Sequence, residues 1–194
     1  MAAVSGAGWL VSRSMNGELI VLTGTPGAGK STVAELVATD AERLTVHLLT
    51  DQFYTAIRTG FVPPYMPGAA DQNDVVIDVM VGAATTYARG GYDVVVDGVV
   101  GLHYVPPFRA AAERAGLVLS YVVLRPDLET TLARARDRGG DSLKDAEAIT
   151  GLHQLFADLG ELESHAIDTS GLDVQRTADE VRRAVSSQRF RLVG

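Results

Sequence analysis

The chain has 194 residues, with 17 Lys plus Arg against 24 Asp plus Glu, so its formal net charge is −7 at neutral pH. The length fits one domain, and a content of 46% hydrophobic and 21% charged residues is that of a globular protein that buries a core. The lack of Cys excludes disulfide scaffolds, thiolate metal sites and cysteine nucleophiles. The acidic balance argues against non-specific nucleic-acid binding, which needs a basic surface.

The first sixteen residues differ in composition from the rest. They are small and polar apart from an apolar triplet at positions 9–11, without the basic start and apolar core of a signal peptide. We interpret them as a flexible tail, a vector remnant or an over-long start, since Met15 could equally begin the chain. No segment approaches the roughly 20 apolar residues of a membrane helix. We therefore expect a single domain over residues 17–194, located in the cytoplasm and without membrane contact.

Short apolar runs alternate with helical patterns along this domain. Strands are predicted at residues 19–22, 45–50, 92–96, 117–124 and 165–168. Helices are predicted at residues 30–38, 74–89, 107–115, 127–138 and 144–159, and a last one from a capping box at residues 177–180. This alternation predicts an α/β fold with a parallel sheet covered by helices on both faces. Ligands of such sheets bind at the carboxyl ends of the strands, so polar residues there are the candidates for a site.

A glycine-rich turn joins the first strand to the first helix. Residues 24–31 read GTPGAGKS and satisfy the G-x-x-x-x-G-K-[ST] pattern of a phosphate-binding loop. Glycines let successive amides face one anion, and the helix N-terminus adds its positive dipole. Lys30, one of two lysines in the chain, is predicted to reach the β- and γ-phosphates, and Ser31 to coordinate Mg²⁺. The predicted nucleotide contacts in this loop are Gly24, Thr25, Pro26, Gly27, Ala28, Gly29, Lys30, Ser31 and Thr32.

Two carboxylates follow predicted strands. Asp97 ends a run of valines, as a Walker B acid does, and is predicted to hold Mg²⁺ directly or through water and to lie near the substrate; the alternative is a plain Asp-Gly turn. Asp51 is predicted to accept a proton from a substrate hydroxyl as general base. The alternative for Asp51 is a cap on the helix that starts near Gln52.

Residues 134–138 read RARDR. Arg134 and Arg138 lie four residues apart on one helix face, and the glycines at 139–140 could serve as a hinge. One interpretation is a lid that closes over ATP and offers both guanidinium groups to the transferred phosphoryl group. The other is a solvated, charged helix face.

The stretch from residue 53 to 73 is rich in aromatic residues, prolines and side-chain amides. It suits recognition of a small ligand with a ring and hydroxyls, or equally a packed surface loop. The predicted substrate contacts here are Phe53, Tyr54, Arg58, Gln72 and Asn73. The four histidines lack metal-ligand spacing, and we expect packing or surface roles for them.

With these motifs the chain resembles the P-loop kinases of the nucleotide-kinase-like group. That group includes chloramphenicol phosphotransferase-like enzymes, shikimate and gluconate kinases, zeta toxins and the kinase domain of polynucleotide kinase. The resemblance covers residues 18–185 and is most specific at the phosphate-binding loop. It implies a three-layer fold with a five-stranded parallel sheet in the order 2-3-1-4-5, ATP and Mg²⁺ as cofactors, and an arginine-bearing lid. It places Asp51 at the base position, Arg134 and Arg138 in the lid, and Thr169 beside the adenine.

Departures from these relatives bear on the substrate. Shikimate kinases carry two acids one residue apart after the second strand, where this chain reads Asp51-Gln52-Phe53. Polynucleotide kinases place an arginine three residues after the base, whereas the nearest one here is Arg58. We therefore expect an ATP-dependent phosphotransferase that acts on a hydroxyl of a small molecule, either a metabolite or an antibiotic-like compound. The alternatives are a polynucleotide 5′-hydroxyl kinase, and a nucleotide-dependent switch or ATPase that binds a protein partner.

Overall fold

The computed structural model describes residues 16–137 and 143–194. Predictions about the tail at residues 1–15, about Arg138 and about the hinge at residues 139–140 lie outside the described residues. The strands are β1 (Leu19–Gly24), β2 (Thr45–Leu49), β3 (Asp93–Asp97), β4 (Leu119–Leu124), β5 (Ala166–Ile167) and β6 (Arg191–Val193). The helices are α1 (Lys30–Thr39), α2 (Thr50–Thr55), α3 (Ala70–Arg89), α4 (Val105–Ala115), α5 (Leu128–Arg136), α6 (Ala146–Gln154) and α7 (Val174–Ser186). Two short 3-10 turns cover Leu102–Tyr104 and Gly160–His165.

The first five strands form a parallel sheet in the order β2-β3-β1-β4-β5. This confirms the predicted α/β fold and the strand order that the resemblance implies. In the sheet, Asp97 of β3 is paired with Leu22 of β1 and with Leu49 of β2. The carboxyl ends of these three strands therefore meet at one edge, and the segments that follow them are brought together there.

Helices cover both faces of the sheet. Side chains alternate along each strand, so β1 sends Leu19 and Val21 to one face and Ile20 and Leu22 to the other. The first face packs against α3 and α4 and contains the larger apolar cluster, whose bulkiest members are Tyr121, Phe108 and Phe156. The second face packs against α1 and α7 around Val33, Val181 and Phe190. Because β1 is buried along its whole length, it reads as a continuous apolar run.

The structure corrects the sequence prediction at two helix starts. The predicted capping box at Thr177 is wrong, because α7 begins at Val174 and is capped by the Asp173 side chain, which accepts a hydrogen bond from the Arg176 amide at 2.8 Å. Thr177 lies buried inside the helix, where its hydroxyl donates to the Asp173 carbonyl oxygen. Helix α3 begins at Ala70, four residues before the predicted start. By contrast, Asp127 caps α5 as predicted and accepts a hydrogen bond from the Thr130 amide.

Strand β6 is a further element that the sequence pattern did not indicate. It pairs antiparallel with the amino-terminal half of β4, through Leu119 with Val193 and Ser120 with Arg191.

None of the described helices combines the length and the apolar character that a membrane span requires.

Candidate functional site

The GTPGAGKS segment forms the turn between β1 and α1, as the phosphate-loop motif requires. Gly27 has a φ of +94°, and a Cβ there would lie 2.5 Å from the Thr131 carbonyl oxygen of α5, so only glycine fits. Lys30 is the first residue of α1 and is 7% exposed. Its Nζ donates a hydrogen bond to the Thr25 carbonyl oxygen at 2.9 Å. The helix N-terminus and a lysine ammonium thus meet in one turn, which is the geometry of an anion site.

A cleft of about 660 Å³ opens beside this loop. The loop contributes Pro26, Lys30 and Ser31 to its wall. The ends of β2 and β3 and the start of α2 contribute Thr50, Asp51, Tyr54, Asp97 and Gly98. The opposite wall consists of Pro64, Tyr65, Asn73, His103 and Tyr104, and α6 adds Ala148 and Leu152. The cleft therefore joins a phosphate-binding end to an end lined by aromatic and amide groups.

Asp51 lies in the first turn of α2 with an exposed side chain that lines the cleft. The residue before the helix is Leu49, and α2 has no side-chain cap. The alternative of a helix cap is therefore wrong for Asp51. Helix α2 packs closely on the end of β3, since a Cβ at Gly98 would lie only 2.0 Å from the Thr50 hydroxyl oxygen. This packing fixes the position of Asp51, the next residue of α2.

Asp97 is the last residue of β3 and is 3% exposed. Its Oδ1 is buried without a hydrogen-bond partner among the described residues, and it lies in the wall that also contains Ser31. A buried carboxylate oxygen without a partner is costly, so this atom fits a ligand such as a cation or a bound water. Within the described ranges, no group of three or more His, Asp or Glu side chains could hold a metal by itself. That fits Mg²⁺, which is bound by one or two protein groups together with substrate phosphates.

His47 in the middle of β2 links Asp97 to a residue of α1. Its Nε2 lies 3.4 Å from Asp97 Oδ2, and its Nδ1 lies 3.2 Å from Glu35 Oε2. Asp97 raises the pKa of His47 most strongly and Glu35 adds to the effect, while partial burial of the ring opposes it. The expected packing or surface role is therefore incomplete for His47, which contacts a predicted metal ligand.

The aromatic wall of the cleft holds one amide with an unused acceptor. Asn73 is 8% exposed, and its Nδ2 donates to the Pro64 carbonyl oxygen at 2.9 Å. Its Oδ1 is buried and accepts no hydrogen bond from the described residues. Burial, with smaller effects from Tyr104 and Asp51, raises the pKa of Tyr54 to about 12, so its phenol remains protonated at neutral pH. This wall can therefore both donate and accept hydrogen bonds.

The structure brings only part of the predicted substrate-contact set to this cleft. Asp51, Tyr54, Asn73 and Asp97 line it, whereas Phe53, Arg58 and Gln72 do not. The Gln72 amide instead bonds to both the amide and the carbonyl of Val62 and fastens the loop. Phe53 packs towards the core and lines a separate shallow groove between α2 and α3, and Arg58 is exposed away from the cleft.

His103 and Tyr104 are cleft residues that the sequence analysis missed. They come from the 3-10 turn after β3, and their rings lie 3.9 Å apart. The one available signal was their position shortly after a strand end, in the part of the chain where such sheets place ligand contacts.

Arg134 connects α5 to the loop that follows β5. Its Nη2 donates to the carbonyl oxygens of Thr169 at 3.0 Å and Leu172 at 3.2 Å. The Asp168 side chain accepts hydrogen bonds from the amide and the hydroxyl of Ser170, which lowers the pKa of Asp168. The described position of Arg134 is thus that of a group that holds the loop containing the predicted adenine contact at Thr169.

A phosphate-binding loop on the central strand, facing a cleft at the carboxyl edge of a 2-3-1-4-5 sheet, defines a P-loop nucleotide-binding domain with a kinase-like fold. A family model described as an AAA domain matches residues 19–159, and the chain belongs to that family. A comparison with curated proteins gave no match.

Several solved structures share the fold. The tunicamycin resistance protein of Deinococcus radiodurans is 21% identical, with a TM-score of 0.63, and the match covers 87% of this chain and 95% of that one. A gluconokinase from Sinorhizobium meliloti 1021 is 19% identical, with a TM-score of 0.67 and coverage of 91% and 95%. The shikimate kinase of Acinetobacter baumannii, in complex with shikimate, is 19% identical, with a TM-score of 0.61 and coverage of 90% and 96%. At these identities the similarity concerns the fold alone.

Proposed function

We propose that the protein is an ATP-dependent phosphotransferase that moves the γ-phosphate to a hydroxyl group of a small molecule. The observation that carries this proposal is the shared cleft, in which Lys30 and Ser31 of the phosphate loop face the same space as the Asp51 carboxylate. Phosphoryl transfer needs cations at the phosphates and a group that orients the attacking hydroxyl. Lys30 and Asp51 are the candidates for these two roles, and both line one cavity. The family match and the fold shared with gluconate and shikimate kinases support the same class of activity.

Each residue of the cleft has a role in this proposal. Lys30 binds the β- and γ-phosphates, and Asp51 accepts the proton of the acceptor hydroxyl. The hydroxyl oxygen bonds to the γ-phosphorus while the bond from that phosphorus to the bridging β–γ oxygen breaks, which releases ADP. Ser31 and Asp97 would hold Mg²⁺ against the nucleotide, where the ion neutralises phosphate charge. Arg134 positions the loop around Thr169 for the base of the nucleotide. Alignment of the two reactants and electrostatic stabilisation supply most of the rate.

The walls of the cleft also favour a class of acceptor. Of the described residues that line it, Lys30 alone is a Lys or Arg, and it belongs to the phosphate loop. The remaining polar side chains among these residues are two carboxylates, three tyrosines, the Asn73 amide, the His103 imidazole and the hydroxyls of Ser31 and Thr50. Among these described residues no Arg or Lys besides Lys30 could pair with a carboxylate or phosphate on the acceptor, which favours an uncharged hydroxyl compound with a ring and a hydrogen-bond donor for Asn73 Oδ1.

Transfer can be tested with γ-labelled ATP and Mg²⁺ against a panel of metabolites, nucleosides and hydroxylated antibiotics. We expect label in an organic acceptor, and loss of that label in a Lys30→Ala variant. Label that reaches only water, whatever compound is supplied, would favour the ATPase or switch alternative. A 5′-hydroxyl oligonucleotide included in the panel tests the polynucleotide kinase alternative.

A further inference from the structure

The carboxylate of Asp97 has two oxygens in different surroundings. Oδ2 lies 3.4 Å from His47 Nε2, an ion-pair distance without hydrogen-bond geometry, whereas Oδ1 is buried in the wall of the cleft without a hydrogen-bond partner among the described residues. The terminal torsion of an aspartate is soft, so contacts rather than intrinsic preference decide where each oxygen points. In the described part of the chain, His47 is the one side chain that pairs with this carboxylate.

The sheet itself brings His47 to Asp97. In the parallel register His47 lies beside Val95, two residues before Asp97 on the same face of β3. Glu35 of α1 covers this face and contacts the other ring nitrogen, so the ring is fixed from both sides. The Glu35 side chain is 68% exposed, so solvent screens its contact with His47. The Asp97 side chain is 3% exposed, so its contact with His47 is the stronger electrostatic interaction.

We propose that His47 is a positioning residue for the metal–nucleotide site: it holds Asp97 by Oδ2 so that Oδ1 faces the cation on the nucleotide. This inference rests on the proposed function, because it assumes that Asp97 serves a metal bound with ATP. Side chains that hold a metal ligand from behind commonly change metal affinity when they are removed. His47 is predicted to act in this way although it does not line the cleft.

The test is a titration of the full-length protein with Mn²⁺ in the presence of the non-hydrolysable analogue AMPPNP, with free Mn²⁺ measured by electron paramagnetic resonance. We expect His47→Ala to weaken Mn²⁺ binding by about tenfold or more, the range typical for groups that support a metal ligand. AMPPNP binding in EDTA should stay within about twofold, because the phosphate loop is untouched. His47→Gln, whose amide can still donate to Asp97, should recover most of the Mn²⁺ affinity.

Two further variants serve as controls. Leu48 is the next residue of β2 and packs against the core on the opposite face of the sheet. Leu48→Ala therefore reports any general loosening of the strand. Glu35→Gln alters only the exposed partner of His47. Neither should change the Mn²⁺ affinity more than about threefold, well below the effect of removing His47.

Each outcome decides between the two hypotheses. If His47→Ala binds Mn²⁺ as the wild type does, or if Leu48→Ala loses as much, or if His47→Gln gives no recovery, the positioning role is overturned while the proposed function stands. A second comparison tests the metal–nucleotide site itself. If the wild-type protein together with AMPPNP binds Mn²⁺ no more tightly than AMPPNP without protein, the proposed site is wrong.

Discussion

Arg134 and Thr169 are joined by a hydrogen bond of 3.0 Å from the guanidinium Nη2 to the backbone carbonyl oxygen. This bond ties α5, which also packs against the phosphate loop at Gly27, to the loop after β5. One helix therefore contacts both the predicted phosphate contacts and the predicted base contacts of the nucleotide.

Replacement of Arg134 by Ala should weaken ATP binding by about tenfold, since a hydrogen bond from a charged group contributes on the order of 1.5–3 kcal/mol and part of this is lost to solvent. The dissociation constant of AMPPNP, measured by isothermal titration calorimetry, checks this expectation. Arg136→Ala is the matched control, because Arg136 lies on the same helix, is exposed and is not part of this contact. Equal losses in the two variants would contradict a specific role for Arg134.

Asp51→Asn should abolish transfer while ATP still binds. Removal of a general base typically lowers the rate by about 10²- to 10⁴-fold. Because Asp51 does not cap α2, the melting temperature should change little. Asp71→Asn, an exposed acid in the first turn of α3 and outside the cleft, should keep full activity. Transfer at the wild-type rate in Asp51→Asn, measured with the acceptor found in the panel, would remove Asp51 from the mechanism.

Gly27→Ala should impair both folding and nucleotide binding. Its Cβ would press on the Thr131 carbonyl oxygen at a φ that favours glycine, so we expect a loss of about 1–3 kcal/mol in the free energy of unfolding. Gly82→Ala in α3 meets nothing within 4 Å and should stabilise the protein by up to about 1 kcal/mol. Urea unfolding of the two variants compares them directly. A stable Gly27→Ala protein with normal ATP affinity would contradict this account of the loop.

The raised pKa of Tyr54 has a defined effect on stability at high pH. The phenol titrates near pH 10 in the unfolded chain and at about 12 in the folded protein. The folded state therefore holds its proton longer, and this contribution to stability is complete below about pH 10 and lost between about pH 10 and 12. The stability difference between wild type and Tyr54→Phe, measured by urea unfolding at pH 8 and pH 10.5, should move against the wild type at the higher pH. A difference independent of pH would show that Tyr54 is not shielded from solvent.

Sequence patterns predicted the position of those parts of the candidate site that consist of neighbouring residues or follow strand ends. The phosphate loop is a local motif between a buried strand and a helix, so its place in the fold followed from eight consecutive residues. Asp51 and Asp97 were predicted because strand ends of a parallel sheet meet at one edge.

The aromatic wall of the cleft could not be predicted in the same way. Its members come from three separated segments, and only the packing of the 3-10 turn at Leu102–Tyr104 near α3 brings Tyr104 close to Asn73. The prediction that Gln72 contacts the substrate was wrong because its side-chain amide forms hydrogen bonds with the backbone of Val62. That contact depends on how the loop folds back, which the local sequence does not indicate. The start of α7 was misplaced since Asp173 and Thr177 are both good caps, and burial of Thr177 favours Asp173.

The pairing of β6 with β4 bears on how many backbone groups are open to pairing at one edge of the sheet. On the far side of β4 the two outer strands are β5, with two residues, and β6, with three. They divide the exposed flank of a six-residue strand between them, and run in opposite directions. Outer strands this short offer few unpaired backbone groups in a row, so a second chain finds little to extend. At this edge of the sheet, β6 therefore occupies backbone groups of β4 with which a strand of a second chain could otherwise pair.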